Sequence, residues 1–190
     1  MKEFLSSLWR LVLITFLGFA GSMIAGLMTY GGDIFHPQSI GFAYYIIYGI
    51  STSFIFAFYH IRGLSSTVTA AFITGIVIFL IATQWMPMLE SAVWSFGVNL
   101  SVIVLAFLFE QKLSYFKHWK FVVVAIIYGG IFVLWNLIVV RVNEVELMSP
   151  KIFQDNFLDG LRLGAGLGIG VEIAESIIHS IDLHVKAKSQ

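Results

Sequence analysis

The chain has 190 residues, of which 58% are hydrophobic and 12% charged, and its net charge at neutral pH is zero. A soluble domain carries about 25% charged residues, and no soluble fold of this size has enough interior to hide so much apolar surface. Short basic clusters beside apolar runs exclude a nucleic-acid-binding face, and the absence of cysteine excludes disulfides, CxxC chemistry and a thiol nucleophile.

Lys2, Glu3 and Arg10 form a polar start. Residues 11–30 follow without a charge, long enough to span about 30 Å of hydrocarbon as a helix. The run is longer than a signal-peptide core and no A-x-A-like site follows it, so it is expected to stay as the first span. It is rich in Gly18, Ala20, Gly21, Ser22, Ala25 and Gly26, which let neighbouring helices approach closely. Further spans are predicted over 39–61, 64–85, 89–110, 121–141 and 156–183. The fold class is therefore all-α: one domain, a polytopic bundle of six transmembrane helices in a lipid bilayer.

Topology follows from charge. With the N-terminus cytoplasmic, the inner segments hold Lys2, Arg10, Arg62, Lys112, Lys117, Lys120, Lys186 and Lys188, and the outer loops hold Arg141 and Lys151. Such a bias places both termini inside and points to a cytoplasmic membrane of bacterial or archaeal type. Pro37, Pro87 and Pro150 are all expected in outer loops. Ile46-Ile47-Tyr48-Gly49 recurs as Ile126-Ile127-Tyr128-Gly129, which an inverted three-plus-three repeat would explain and chance in an apolar alphabet would also explain.

The last span combines Gly160, Gly164, Gly166, Gly168 and Gly170 with Asp159, Arg162, Glu172, Glu175 and His179. At about 100° per residue, Gly160, Gly164 and Gly168 share a face with Glu175, His179 and Glu172, while Gly166 and Gly170 lie on another beside Asp159. Small-residue packing is the ordinary use of such glycines, so this helix is expected inside the bundle, contacted closely on two sides. Charges inside a span are costly and mark a pathway, a relay or a buried pair. Asp159 and Arg162, three residues apart, are expected to pair near the outer interface. Glu172, Glu175 and His179 lie deeper. Two carboxylates so close in a low-dielectric site should not both ionise, and with the imidazole they suit a proton relay or a divalent cation. His60 and Glu110 end the second and fourth spans at similar depth and are candidate neighbours. Asn99 and Asn136 lie mid-span, suited to interhelical hydrogen bonds or, second, to a polar lining.

These features suggest a small transporter or channel for a small solute or cation, with proton coupling through the carboxylate–histidine cluster of the last helix as one expectation. The alternative is a non-catalytic subunit, self-associating or assembled with a partner membrane protein. An intramembrane metalloenzyme is least supported, because no HExxH is present, and no cofactor is specified. In size and topology alone the chain is similar to the substrate-binding subunits of energy-coupling-factor vitamin transporters. It lacks, in its first span, the AxxxA with which those subunits dock their partner.

Overall fold

The computed structural model describes residues 2–37, 39, 41–84, 87–112, 120–142 and 150–187. Helix α1 is Lys2–Tyr30, followed by a 3-10 turn (Gly31–Phe35) and a π-helical segment (Phe42–Tyr48) that leads into α2 (Gly49–Arg62). Then come α3 (Leu64–Ala82), α4 (Met88–Lys112), α5 (Lys120–Val142) and α6 (Pro150–Ala187). The all-helical expectation holds among the described residues. Three stretches are long and apolar enough to cross a membrane, Ser7–Phe35, Phe42–Tyr59 and Ser65–Ala82, while Met88–Val104 and Phe121–Trp135 are apolar but shorter.

Helix ends differ from the expected spans because a helix continues wherever its backbone can bond, whatever its polarity. Helix α1 already runs through the polar start, and α6 extends past both ends of 156–183. Pro150, expected in a loop, is the first residue of α6, where its missing N–H belongs to the unpaired first turn anyway. Helix α3 stops at Ala82 instead of 85, with Thr83 N–H closing on the Phe79 carbonyl at 3.0 Å. Gly63 links α2 to α3 at φ +76°, a conformation that disfavours any residue with a Cβ.

Each helix packs on the next, α6 closes back on α1, and α2 leans inward onto α4. Residues without bulk set these contacts. Between α1 and the continuous stretch formed by the π-helical segment and α2, Gly18 meets Ser53, Ser22 meets Gly49 and Gly26 meets Tyr45, steps of four running in opposite directions. Between α1 and α6, a Cβ on Gly21 or Gly166 would collide with the carbonyl of the other, and one on Gly170 with the Leu17 carbonyl. Between α5 and α6, Gly160 lies on the Tyr128 carbonyl, Gly164 on that of Val124 and Gly168 on the Phe121 backbone. So α5 takes one small-residue face of α6 and α1 takes the other.

Inside the ring, Tyr44, Tyr48, Trp94, Tyr128 and Phe132 form an aromatic cluster, with the Tyr44 and Phe132 rings 4.8 Å apart, edge to face. Tyr45, Tyr48, Ser51, Thr52 and Ser53 of the second helical stretch are all buried. Outward faces are apolar, with Phe72, Ile73, Val77 and Leu80 of α3 exposed, and Ile169, Ile173 and Ile177 of α6 likewise. Contiguous apolar surface of this kind suits hydrocarbon better than water.

Two helical glycines separate packing from propensity. Gly166 has no room for a side chain, whereas a Cβ on Gly130 would meet nothing within 4 Å. Gly166→Leu should cost roughly 3 kcal/mol or more through overpacking, and Gly130→Leu should be neutral or stabilising. Thermal unfolding in detergent, followed by tryptophan fluorescence, checks the contrast.

Candidate functional site

The register of α6 against its neighbours decides where its charges go. Facing residues in an antiparallel pair advance in opposite directions, so the Gly21–Gly166 contact brings the end of α1 to the third turn of α6. There the Tyr30 hydroxyl donates to Asp159 Oδ2 at 2.7 Å, and the Tyr45 hydroxyl lies 3.3 Å from Oδ1. Tyr45 comes from the π-helical segment, a backbone variant found frequently at functional sites. The Tyr44 hydroxyl, from the same segment, reaches Asn156 Oδ1 at 3.4 Å. Asp159 is buried, 6% exposed. A carboxylate buried this deeply needs such donors, since burying it unpaired would be far more costly.

The expected Asp159–Arg162 pair is present but loose: Arg162 Nη1 is 3.9 Å from Asp159 Oδ1, and the Arg162 side chain is 45% exposed. Asp159 points inward and Arg162 outward, so the tyrosines are the carboxylate's close partners.

At the other end of α6, the groups that share a face on a helical wheel are drawn to different neighbours. Glu172 Oε1 accepts the Phe121 N–H at 3.2 Å, satisfying one of the unpaired amides at the start of α5. Glu175 and His179 turn toward α1. With Ser7, Arg10, Ile61 and Asp182 they line a cavity of about 310 Å³. Arg10 Nη2 donates to Asp182 Oδ1 at 2.7 Å across that cavity's rim, while Arg10 Nε is buried without a described partner. Among the described residues no three carboxylate or imidazole groups are grouped to hold a metal ion. Ile61, at the end of α2, lines the same cavity, and no described residue of α4 does. The side chains of His60, Glu110 and Asn136 lie outside the described set, as do residues 113–119 and 143–149.

Asn99 is a structural node. Its Nδ2 donates to the Ala71 carbonyl and to Thr74 Oγ1, both at 3.0 Å, and its Oδ1 accepts from Ser51 Oγ at 3.1 Å. One amide thus ties α2, α3 and α4, the interhelical role expected first, and is left with little capacity to line a pathway.

Sequence reasoning missed Tyr30 and Tyr45 as partners of Asp159, and Asp182 as the partner of Arg10. The signal was available in the glycines. Had Gly21 been matched to Gly166, both ends of α1 would have fallen beside these acidic residues.

Together the fold and these sites define a protein that is helical among the described residues, with three stretches long and apolar enough to cross a membrane and ionisable groups toward both ends of α6. Compared with protein-family models, curated proteins and solved structures, the chain matches no family, no relative and no structure.

Tyr30→Phe removes the shortest bond to Asp159 and should cost about 1.5–3 kcal/mol, the range for a hydrogen bond to a charged group. Tyr44→Phe, with the longer bond to Asn156, should cost less. Combining Tyr30→Phe with Asp159→Asn should cost less than the sum of the two, a coupling that a double-mutant cycle on unfolding in detergent measures.

Proposed function

We propose that the protein is a six-span integral membrane protein of a bacterial or archaeal-type cytoplasmic membrane, with both termini cytoplasmic, and that it carries a small solute or cation across that membrane with proton coupling through α6. The positive-inside bias supports the topology. The observation that carries the transport reading is Asp159, an ionisable group held inside the bundle by tyrosines, on the same helix as Glu175 and His179.

The supporting argument is mechanical. Glycine-to-backbone contacts hold α6 to α1 and α5 at five positions, and they interlock less than large side chains would. A small shift of α6 would break the Tyr30 and Tyr45 bonds at one end and the Arg10–Asp182 pair at the other. Protonation of Asp159 would bias such a shift by changing what the tyrosine bonds are worth. In this reading Asp159 and Arg162 form the outer gate, and Glu175 and His179 the inner coupling groups, with Glu172 anchoring α5.

A second reading is a non-catalytic membrane subunit. It is favoured by the interior, which Tyr44, Trp94 and Phe132 fill between α2, α4 and α5.

Reconstitution into liposomes separates the two. Under the transport reading, wild-type vesicles move protons or solute. Glu175→Gln and Asp159→Asn should each reduce that flux at least about tenfold while far-UV circular dichroism stays unchanged, as loss of an essential proton carrier does. Wild-type vesicles with no flux, and a fixed-ratio complex with a second membrane protein on purification, would decide for the subunit.

A further inference from the structure

A groove of about 520 Å³ runs along the outer surface between α1 and α6. Gly21, Gly166 and Ala165 line it, with Met28 and Ile169 beside them, and among the described residues its one charged lining residue is Arg162. From Arg162 to Ile169 it extends about 10 Å along α6, at about 1.5 Å per residue. The groove exists because α1 and α6 touch at glycines and leave no side chains to fill the seam.

Arg162 makes this more than an apolar seam. Both oxygens of its nearest acid, Asp159, are engaged by tyrosine hydroxyls, at 2.7 Å from Tyr30 and 3.3 Å from Tyr45. The guanidinium stands 3.9 Å from Asp159 and has no hydrogen bond among the described residues. Thr29, which also lines this end, spends its hydroxyl on the Ala25 carbonyl at 2.8 Å. A guanidinium offers five N–H donors in a fork that fits phosphate oxygens. The end of the groove that holds it lies beside the last turn of α1, where the chain leaves its apolar run for Gly31, Gly32 and Asp33. The other end is lined by Gly21 and Ile169, deeper along the same apolar helices. A cation at the polar end of an apolar channel, on a surface suited to hydrocarbon, matches one occupant in both charge and shape.

We propose that this groove binds an anionic phospholipid, with its phosphate on Arg162 and an acyl chain laid along the α1–α6 seam. The proposal rests on the bundle lying in a membrane and not on its transporting anything. Bound lipid would cover the seam that any displacement of α6 must open, so occupancy would hold α6 in place.

The full chain in mild detergent, titrated with phosphatidylglycerol or phosphatidylcholine in mixed micelles and counted by native mass spectrometry, tests this. Wild type should bind one phosphatidylglycerol in preference to phosphatidylcholine, and millimolar inorganic phosphate should not displace it. Arg162→Gln should weaken phosphatidylglycerol binding at least about tenfold and erase the preference, with Arg162→Lys intermediate. Ala165→Leu, which fills the groove, should weaken both lipids. Equal binding of the two lipids by wild type, unchanged binding by Arg162→Gln, or displacement by phosphate overturns the proposal. Should Arg162→Gln fail to fold, unchanged binding by Ala165→Leu overturns it.

Discussion

Backbone-to-backbone contact at glycine is the constraint on which the rest of this structure depends. In a hydrocarbon medium, burying apolar side chains between helices gains little, since lipid is as apolar as they are. Close approach, with its denser van der Waals contact, is what holds helices together there. Three seams here are built that way: α1 with α2, α1 with α6, and α5 with α6. Because most of these glycines meet one particular carbonyl or small side chain, the seams also favour one register.

Register in turn places the polar groups, and several of those in the interior find a partner across or along the helices. Asn99 serves three helices, Ser53 bonds back to the Gly49 carbonyl at 2.7 Å, and Ser22 to that of Phe19 at 2.8 Å. Leaving such groups unpaired in low dielectric is costly. Thr52 Oγ1 and Tyr128 Oη are buried, side by side, without reaching hydrogen-bond geometry. Tyr128 belongs to the aromatic cluster.

What the sequence made legible is what periodicity and charge control. Helical class, the approximate positions of the helices, the two small-residue faces of the last one and the bonding role of Asn99 all follow from spacing within one segment. Partner choice does not. On a wheel Glu172, Glu175 and His179 share a face, but a wheel contains no neighbours. Helix α5 begins level with Gly168, so its free amides claim Glu172, while the side chains beyond it face α1. The Asp159–Arg162 pair was legible from its spacing, yet its looseness was not, because the tyrosines that displace Arg162 come from more than a hundred residues away. Pro150 shows the same limit on a smaller scale: proline marks a boundary, and which side of the boundary it falls on depends on the first-turn amides.

The recurring Ile-Ile-Tyr-Gly motif can be judged by what its residues touch. Tyr48 and Tyr128 do meet at a common ring, their centroids 6.4 and 6.3 Å from that of Phe132. Under an inverted repeat, however, Gly49 and Gly129 would face equivalent helices. Gly49 packs on Ser22 of α1, whose counterpart would be α4, whereas Gly129 packs on Phe157 of α6. The motif is therefore shared without its surroundings, and the two halves of the ring are not interchangeable. Their difference concentrates at residues 42–48, where i→i+5 bonding replaces the α-helical pattern. That segment supplies Tyr44 to the aromatic cluster and Tyr45 to Asp159. The half of the chain that breaks the regular helix is the half that builds a polar pocket for the buried carboxylate. That local departure from the α-helical pattern is what brings two tyrosine hydroxyls, Tyr44 and Tyr45, within reach of α6.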